Sequence, residues 1–274
     1  MLARVDAKIV PRLGRGLARV TRVVRPWRVR PLTVVATVLV MSVVATGLWR
    51  LMRHEPGDLG GGSSTIWVGV HDGDSVPRYI DSSRAELAAL TARDPQGQLY
   101  ALVSFDRYLT PVEVQALAAS VPALVTLRGY ARVPLPHRQT ERVTLAAGRV
   151  PEDLVADMTA AAGRKDVDAQ TYSGLAENEA DPLLRAIYRS NADVSQAEAD
   201  GYRGACPCVF ALLVRGSALA LTALAHHADV RAVDPAPEVV ETTGAVWSAP
   251  LPEQVDRVEP PPDDALLPSV AATK

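Results

Sequence analysis

Few residues in this sequence could carry chemistry, and each set also has a structural explanation. Cys206 and Cys208 are separated only by Pro207, so in an oxidising compartment they could close a small disulfide loop or form a redox pair. A Cys-x-Cys pair supplies half of a typical zinc site, and the chain has no further cysteine. The spacing therefore favours a disulfide between Cys206 and Cys208 over a metal site.

The histidines and nearby carboxylates allow the same two interpretations. His71, Asp72 and Asp74 follow a strand-like segment, where an imidazole and two carboxylates could hold a cation. A glycine-containing polar turn explains the same residues without an ion. His226 and His227 end a predicted helix, where a partly charged imidazole complements the helix dipole. We therefore predict no metal and no cofactor.

Motifs of the common enzyme classes are absent from the sequence. The chain contains no Gly-x-Ser-x-Gly elbow, no His-Glu-x-x-His, no phosphate loop and no Gly-x-Gly-x-x-Gly. Its five histidines leave open a catalytic site assembled only by folding. We predict a protein without catalytic residues, that is, not an enzyme.

The charge distribution divides the chain and suggests a membrane anchor. The net charge is −2, but residues 1–31 hold nine basic residues and a single acid. Residues 32–49 carry no charge and would span about 27 Å as a helix, close to a hydrocarbon core of roughly 30 Å. This pattern predicts a single transmembrane helix over residues 32–49. A signal peptide cleaved near residues 45–47 is the alternative.

The basic arm sets the expected orientation and one expected partner. The positive-inside rule places residues 1–31 in the cytoplasm and residues 50–274 outside the plasma membrane, and the preference for Arg over Lys suggests a high-GC bacterium. Arginines beside a span attract anionic lipid at the cytoplasmic face, and no base-reading motif indicates nucleic acid. The residues expected to contact lipid are Arg12, Arg15, Arg19, Arg22, Arg25, Arg28 and Arg30.

Composition gives the remaining boundaries. Residues 50–64 are rich in Gly and Ser and predict a flexible linker, whereas residues 235–274 are rich in Pro and acids and predict a disordered tail. The folded, extracytoplasmic domain is then 65–234.

Inside this domain, capping signals and alternating apolar residues predict an α+β fold. Capping boxes at Ser83, Thr110 and Ser195 indicate three helix starts, and Gly163 should end a helix that begins at Pro151. Further helices should begin after Asp181 and Ser217; the predicted strands are 65–70, 99–105, 124–133, 208–215 and 229–233. In the third of these strands, Arg128, Tyr130 and Arg132 should face outward. The order predicts a ferredoxin-like split βαβ sandwich with a helical insertion at about 134–205, and the place of the 65–70 strand stays open.

One stretch resembles a known family. Cys208–Val239 has a strand, a Ser-capped helix rich in Ala and Leu, and a closing Val-x-x-Val-Asp-Pro strand, and it is similar to the second half of the subtilisin propeptide (inhibitor I9-like) domain. Tyr100–Ala119 looks like the first strand and helix of that family. The resemblance implies a ferredoxin-like fold and inhibition or chaperoning of a protease, with the segment from Asp234 added as a strand in the protease cleft.

Three functions remain open on the sequence alone. The first is a membrane-anchored, non-catalytic module that binds a protein partner outside the membrane. The second is the propeptide-like inhibitor or chaperone, and the third is an enzyme or solute-binding domain. We favour the first, because the chain combines one apolar segment with a compact domain that lacks a reactive motif.

Overall fold

The secondary structure comes from a computed structural model that describes residues 65–121 and 123–263. The strands are β1 (Ile66–Gly69), β2 (Gln98–Leu109), β3 (Val125–Ala131), β4 (Val143–Ala146), β5 (Val209–Ser217), β6 (Val230–Ala236) and β7 (Ala245–Ser248). The helices are α1 (Val76–Arg93), α2 (Pro111–Ser120), α3 (Glu152–Asn178), α4 (Pro182–Arg203) and α5 (Ala218–Ala225), with a short 3-10 turn at Thr242–Gly244.

Five of the strands form one antiparallel sheet in the order β4-β3-β5-β2-β6. The unit β2-α2-β3 connects two strands with β5 between them, and the unit β5-α5-β6 connects two strands with β2 between them. This interlocked pair is the split βαβ arrangement. The segment 134–205 adds β4 at one edge and the two long helices α3 and α4.

The predicted fold class, with its single N-terminal transmembrane helix, is corrected here. None of the helices in the described part of the chain is both long enough and apolar enough to cross a membrane. The long helices α3 and α4 carry charged residues throughout their length, which explains why neither qualifies. The fold class is α+β, with one antiparallel and one parallel sheet. Residues 32–49, the basic arm 1–31 and the whole of the expected linker 50–64 lie outside the described residues.

One face of the five-stranded sheet packs against helices and is called here the helix-covered face. Val103 and Phe105 of β2 and Leu212 of β5 contact Leu154 and Met158 of α3 within one cluster of buried side chains. Helices α2 and α5 contribute to the same cluster. Each fully buried aliphatic or aromatic side chain contributes about 1.5–3 kcal/mol relative to exposure, so this cluster dominates the stability of the domain.

The other face is covered by a second sheet and is called the strand-covered face. Strands β1 and β7 pair in parallel, and they place Val68 over Leu102, Phe210 and Leu251. The pairing requires a glycine at position 69. Gly69 has φ +106°, and a Cβ there would lie 1.9 Å from the carbonyl oxygen of Ser248.

Residues 235–263 differ from the expected disordered tail 235–274, and the rest of that tail, residues 264–274, lies outside the described residues. Residues 245–248 form β7, and Ala249, Leu251 and Val258 are buried beyond it. Composition suggested disorder because proline and acidic residues are frequent there. The apolar residues between them have a surface to cover, however, and that surface exists only once the sheet has formed.

Several helix boundaries also differ from the predictions. Ser83 and Ser195 lie inside continuous helices, and α3 runs through Gly163 to Asn178. The capping box of α2 is confirmed, because Thr110 and Glu113 make both reciprocal hydrogen bonds. A capping pattern in the middle of a long amphipathic segment therefore gave a false start, since tertiary packing of the helix face overrode it.

Candidate functional site

A cleft opens beside the strand-covered face, between the ends of two strands and the C-terminal residues. One cavity, of about 390 Å³, is lined by Tyr108, Arg132, Pro134, Leu135, Pro136, His137, Arg138, Glu253, Pro261 and Pro262. A second, of about 210 Å³, is lined by Asp72, Arg132, Gln139, Thr140, Arg142, Leu251, Gln254, Glu259, Pro260 and Pro261. Because Arg132 lines both cavities, we call the whole feature the Arg132 cleft.

Arg132 itself is almost completely buried, with 2% of its surface exposed. Its Nη1 donates to Glu253 Oε1 at 2.5 Å and to Tyr108 Oη at 3.0 Å, and its Nη2 donates to the Arg138 carbonyl at 3.0 Å. Its Nε is buried and has no hydrogen-bond partner among the described residues. A buried guanidinium with an unused donor is a strong attractor for a carboxylate.

The neighbours of Arg132 fix its chemistry. Burial, and then the adjacent Glu253 carboxylate, raise the pKa of Tyr108 above its ordinary value, so the phenol stays neutral and can accept from Arg132. Arg142 places its guanidinium 5.8 Å from the centre of the Phe210 ring, a cation–π distance. Arg138 donates to Ser190 Oγ at 2.8 Å, which links the cleft to α4. The cleft thus gathers three guanidinium groups, of which Arg132 is buried and Arg138 is partly buried.

A short C-terminal segment, residues 259–263, crosses this cleft and is called the strap. Gln139 Nε2 donates to the Pro261 carbonyl at 2.9 Å, and Gln254 Nε2 donates to the Glu259 carbonyl at 2.6 Å. Asp263 lies 3.9 Å from the Arg138 guanidinium. Gln254 is 6% exposed and also accepts from the Leu251 amide, so the strap is anchored from within the fold.

A second candidate feature is the hairpin of α3 and α4. The first turns of α3 are buried against the sheet through Leu154 and Met158, while α4 packs mainly on α3. At 1.5 Å per residue, the 27 residues of α3 extend about 40 Å. The far end of the hairpin exposes Leu175, Leu183 and Leu184 by 45%, 55% and 42%.

A buried ion pair holds the two hairpin helices together near the sheet. Lys165 Nζ lies 2.8 Å from Glu141 and 2.9 Å from Glu198, and the Glu198 side chain is 3% exposed. Burial alone would lower the pKa of Lys165, but hydrogen bonds to both glutamates outweigh it and raise the pKa. The ammonium therefore stays charged and positions α4 on α3.

The structure joins the predicted cysteine pair in a disulfide. The Cys206 and Cys208 sulfur atoms are 2.18 Å apart and their Cα atoms 5.3 Å apart. The Cys208 amide donates to the Leu109 carbonyl, and the Arg132 amide donates to the Cys208 carbonyl. The disulfide lies where β5 begins, beside the strand ends that carry Tyr108 and Arg132. The disulfide therefore lies next to the Arg132 cleft.

The histidines and nearby carboxylates singled out in the sequence make ordinary turn and helix-end contacts. Asp74 Oδ2 accepts from the His71 amide at 2.7 Å, which closes the expected polar turn. His226 caps α5, and His227 Nδ1 accepts from the Asp229 amide at 3.3 Å. Within residues 65–121 and 123–263, no cluster of three or more His, Cys, Asp or Glu side chains could hold a metal ion. The seven lipid-contact arginines, from Arg12 to Arg30, lie outside the described residues.

The sequence-based prediction for Arg132, the central residue of the cleft, was wrong. Arg132 alternates with apolar neighbours in β3 and the residues after it, so the pattern predicted an outward, solvated side chain. The structure buries it because the C-terminal residues return across this face and bring Glu253 to it. The only available signal was the excess of acids in that C-terminal segment.

Comparison of the chain with protein-family models, with curated proteins and with solved structures finds no match. The resemblance to the propeptide family therefore rests on the residues quoted for it alone.

Proposed function

We propose that this chain is a non-catalytic protein-binding module whose partner contacts the far end of the α3–α4 hairpin. The observation that carries the proposal is the exposure of Leu175, Leu183 and Leu184 at one end of a long, sheet-anchored helical pair. Large apolar side chains gathered at one exposed site mark interaction surfaces more often than isolated ones do.

The construction of the hairpin supports this role. The Lys165–Glu198 ion pair fixes its base, and Asp181 caps α4 by accepting from the Leu183 and Leu184 amides. Arg185 closes the turn by donating to the Glu179 carbonyl at 2.7 Å. The leucines are therefore presented on an ordered helix start rather than on a loose loop, which lowers the entropy cost of binding.

The test is a paired substitution read out by crosslinking in intact cells. A photo-crosslinking amino acid is placed at Glu177, beside the turn, and the adducts of the unchanged chain are compared with those of Leu183→Asp/Leu184→Asp. We expect one discrete adduct that the double substitution removes, because two charges at the contact oppose desolvation.

The control is Val112→Asp, which changes a residue that is 66% exposed on α2. This variant should keep the adduct. An adduct that survives Leu183→Asp/Leu184→Asp, or that Val112→Asp removes equally, would refute the hairpin as the contact surface.

The propeptide-like inhibitor is not proposed as a second function, because no observation favours it. Asp234, Pro235 and Ala236 lie within β6 and pair with β2. Asp234 accepts a hydrogen bond from Ser83 of α1 at 3.3 Å, so this segment is engaged inside the domain. An inhibitory strand would have to be free to pair with the protease.

A further inference from the structure

The Arg132 cleft and the strap have complementary charges. The wall of the cleft carries three guanidinium groups and one carboxylate, Asp72, and the C-terminal residues that cover it carry three carboxylates. The basic set is Arg132, Arg138 and Arg142; the acidic set is Glu253, Glu259 and Asp263. Glu253 and Asp263 therefore act as counter-ions from the same chain to the arginines of the cleft, and Glu259 adds a further negative charge to its lining.

The strap fills this site only in part. Cavities of about 390 Å³ and 210 Å³ remain along it, and Arg132 lines both. The Arg132 side chain is 2% exposed and its Nε has no hydrogen-bond partner among the described residues. A buried charged group with an unused donor is costly, and a further carboxylate oxygen would satisfy it.

The shape of the site suits an extended chain. The strap contains Pro260, Pro261 and Pro262 in succession, a sequence that favours an extended backbone with little entropy left to lose. It is held through its backbone carbonyls by Gln139 and Gln254. Contacts of that kind read the path of a backbone and would accept another segment of similar conformation.

We infer that the Arg132 cleft is a binding site for an extended acidic segment of a partner protein, and that the strap competes with this segment for it. A tethered competitor acts at an effective concentration on the order of millimolar, so it weakens binding of the free segment. This inference uses a different surface from the hairpin and does not rest on the proposed function.

The probe is a fluorescein-labelled peptide that copies residues 253–263, EQVDRVEPPPD, and its binding is followed by fluorescence anisotropy. The full chain is compared with a strap variant of the full chain, Pro260→Gly/Pro262→Gly/Asp263→Asn, in which the competitor is more flexible and less charged. We expect the strap variant to bind the peptide on the order of tenfold more tightly, because a larger fraction of its clefts is open.

Two further comparisons decide whether the guanidiniums carry the binding. In the strap variant, Arg138→Glu and, separately, Arg142→Glu should each weaken binding on the order of tenfold or more, since each reverses a charge in the site. A peptide without carboxylate side chains, QQVNRVQPPPN, should bind much more weakly than the acidic one. Leu183→Asp/Leu184→Asp should leave peptide binding unchanged, which separates this site from the hairpin.

Three results would overturn the inference. The first is equal peptide affinity for the full chain and the strap variant. The second is equal affinity for the acidic peptide and for the peptide without carboxylate side chains. The third is peptide binding that neither Arg138→Glu nor Arg142→Glu weakens, although both variants keep the unfolding temperature of the unchanged chain.

Discussion

The two faces of the five-stranded sheet are closed in different ways. The helix-covered face carries the largest apolar cluster, with side chains such as Phe105, Leu154 and Leu212 contributed by helices and strands alike. The strand-covered face has a smaller cluster around Leu102 and Leu251, and at one end of this face the charged side chains of Arg132 and Glu253 are paired. Only this second face opens into the Arg132 cleft.

The difference follows from what each cover can bury. An amphipathic helix presents a wide apolar stripe, so the part of a helix that lies on the sheet covers it with apolar side chains. Strands β1 and β7 have four residues each, and the remaining cover is irregular chain that must satisfy its own backbone groups. Polar contacts such as Arg132–Glu253 then replace apolar ones, and cavities remain between them.

The largest expected effect concerns the helix-covered side, at the buried ion pair of Lys165 and Glu198. Lys165→Met leaves Glu198, whose side chain is 3% exposed, without its cation. We expect a loss of about 4 kcal/mol in the free energy of unfolding, because an unpaired buried charge is costly. The measurement is urea denaturation at pH 7.

The double variant Lys165→Met/Glu198→Leu is the matched control. It removes both charges and should regain much of the lost stability. If the single and double variants are equally destabilised, the ion pair is not the cause.

The next largest effect breaks the strand-covered side at Gly69. Gly69→Ala would put a Cβ 1.9 Å from the Ser248 carbonyl oxygen at φ +106°, so β1 and β7 cannot stay paired. We expect a loss of about 3 kcal/mol, combining steric and conformational costs. Hydrogen exchange of the Val70 amide, which donates to Ser248 at 2.8 Å, should become fast.

Gly73→Ala separates the two costs. Gly73 also has a positive φ, +86°, but its Cβ would meet nothing within 4 Å. Only the conformational cost of about 1 kcal/mol applies there. Equal losses at both glycines would argue against the close approach of β1 to β7.

At the edge where α1 covers β6, Asp234 should make stability depend on pH. Burial raises the pKa of Asp234 from 3.8 to about 6. The hydrogen bond from Ser83 lowers this pKa, whereas the nearby carboxylates of Glu86 and Glu238 raise it further. Because the folded state binds this proton more tightly than the unfolded state, its contribution is lost as the pH rises from about 4 through 6.

Asp234→Asn removes the free-energy cost of burying the ionised Asp234 carboxylate above pH 6. We expect it to raise the free energy of unfolding by about 2 kcal/mol at pH 8 and to have little effect at pH 4. Asp193→Asn, at an exposed position of α4, is the control and should show no such difference between the two pH values. Thermal unfolding of the three chains at both pH values checks this, and a gain for Asp234→Asn at pH 4 alone would contradict it.

The smallest effect concerns the start of α2 on the helix-covered face. Thr110 accepts from the Glu113 amide, and the Glu113 carboxylate accepts from the Thr110 amide at 2.7 Å. Thr110→Ala should cost about 1 kcal/mol of stability, measured by denaturation. Thr144→Ala, at an exposed position of β4, should change stability by less than about 0.5 kcal/mol, and an equal loss there would argue against capping.

The two faces also differ in how much of their structure could be predicted from the sequence. On the helix-covered side, the helices that begin at Thr110 and Ser217 could be predicted from local sequence, since an N-cap and an apolar stripe lie within a few residues of each other. Ser83 and Ser195 show the same local pattern and are wrong, because longer helices absorbed them. Neither β7 nor the burial of Leu251 has a local signal, as both depend on a surface made by distant strands.

The sequence by itself determined the alternation of strands and helices and the α+β class, because turn signals, caps and apolar periodicity act over short distances. Tertiary structure alone decided that β1 pairs with β7, that Arg132 is buried, and that the C-terminal acids reach it. Glu253 is separated from Arg132 by more than a hundred residues, and only the return of the chain across the sheet brings their charges together. Long-range contacts of this kind carry no periodic signature in either partner.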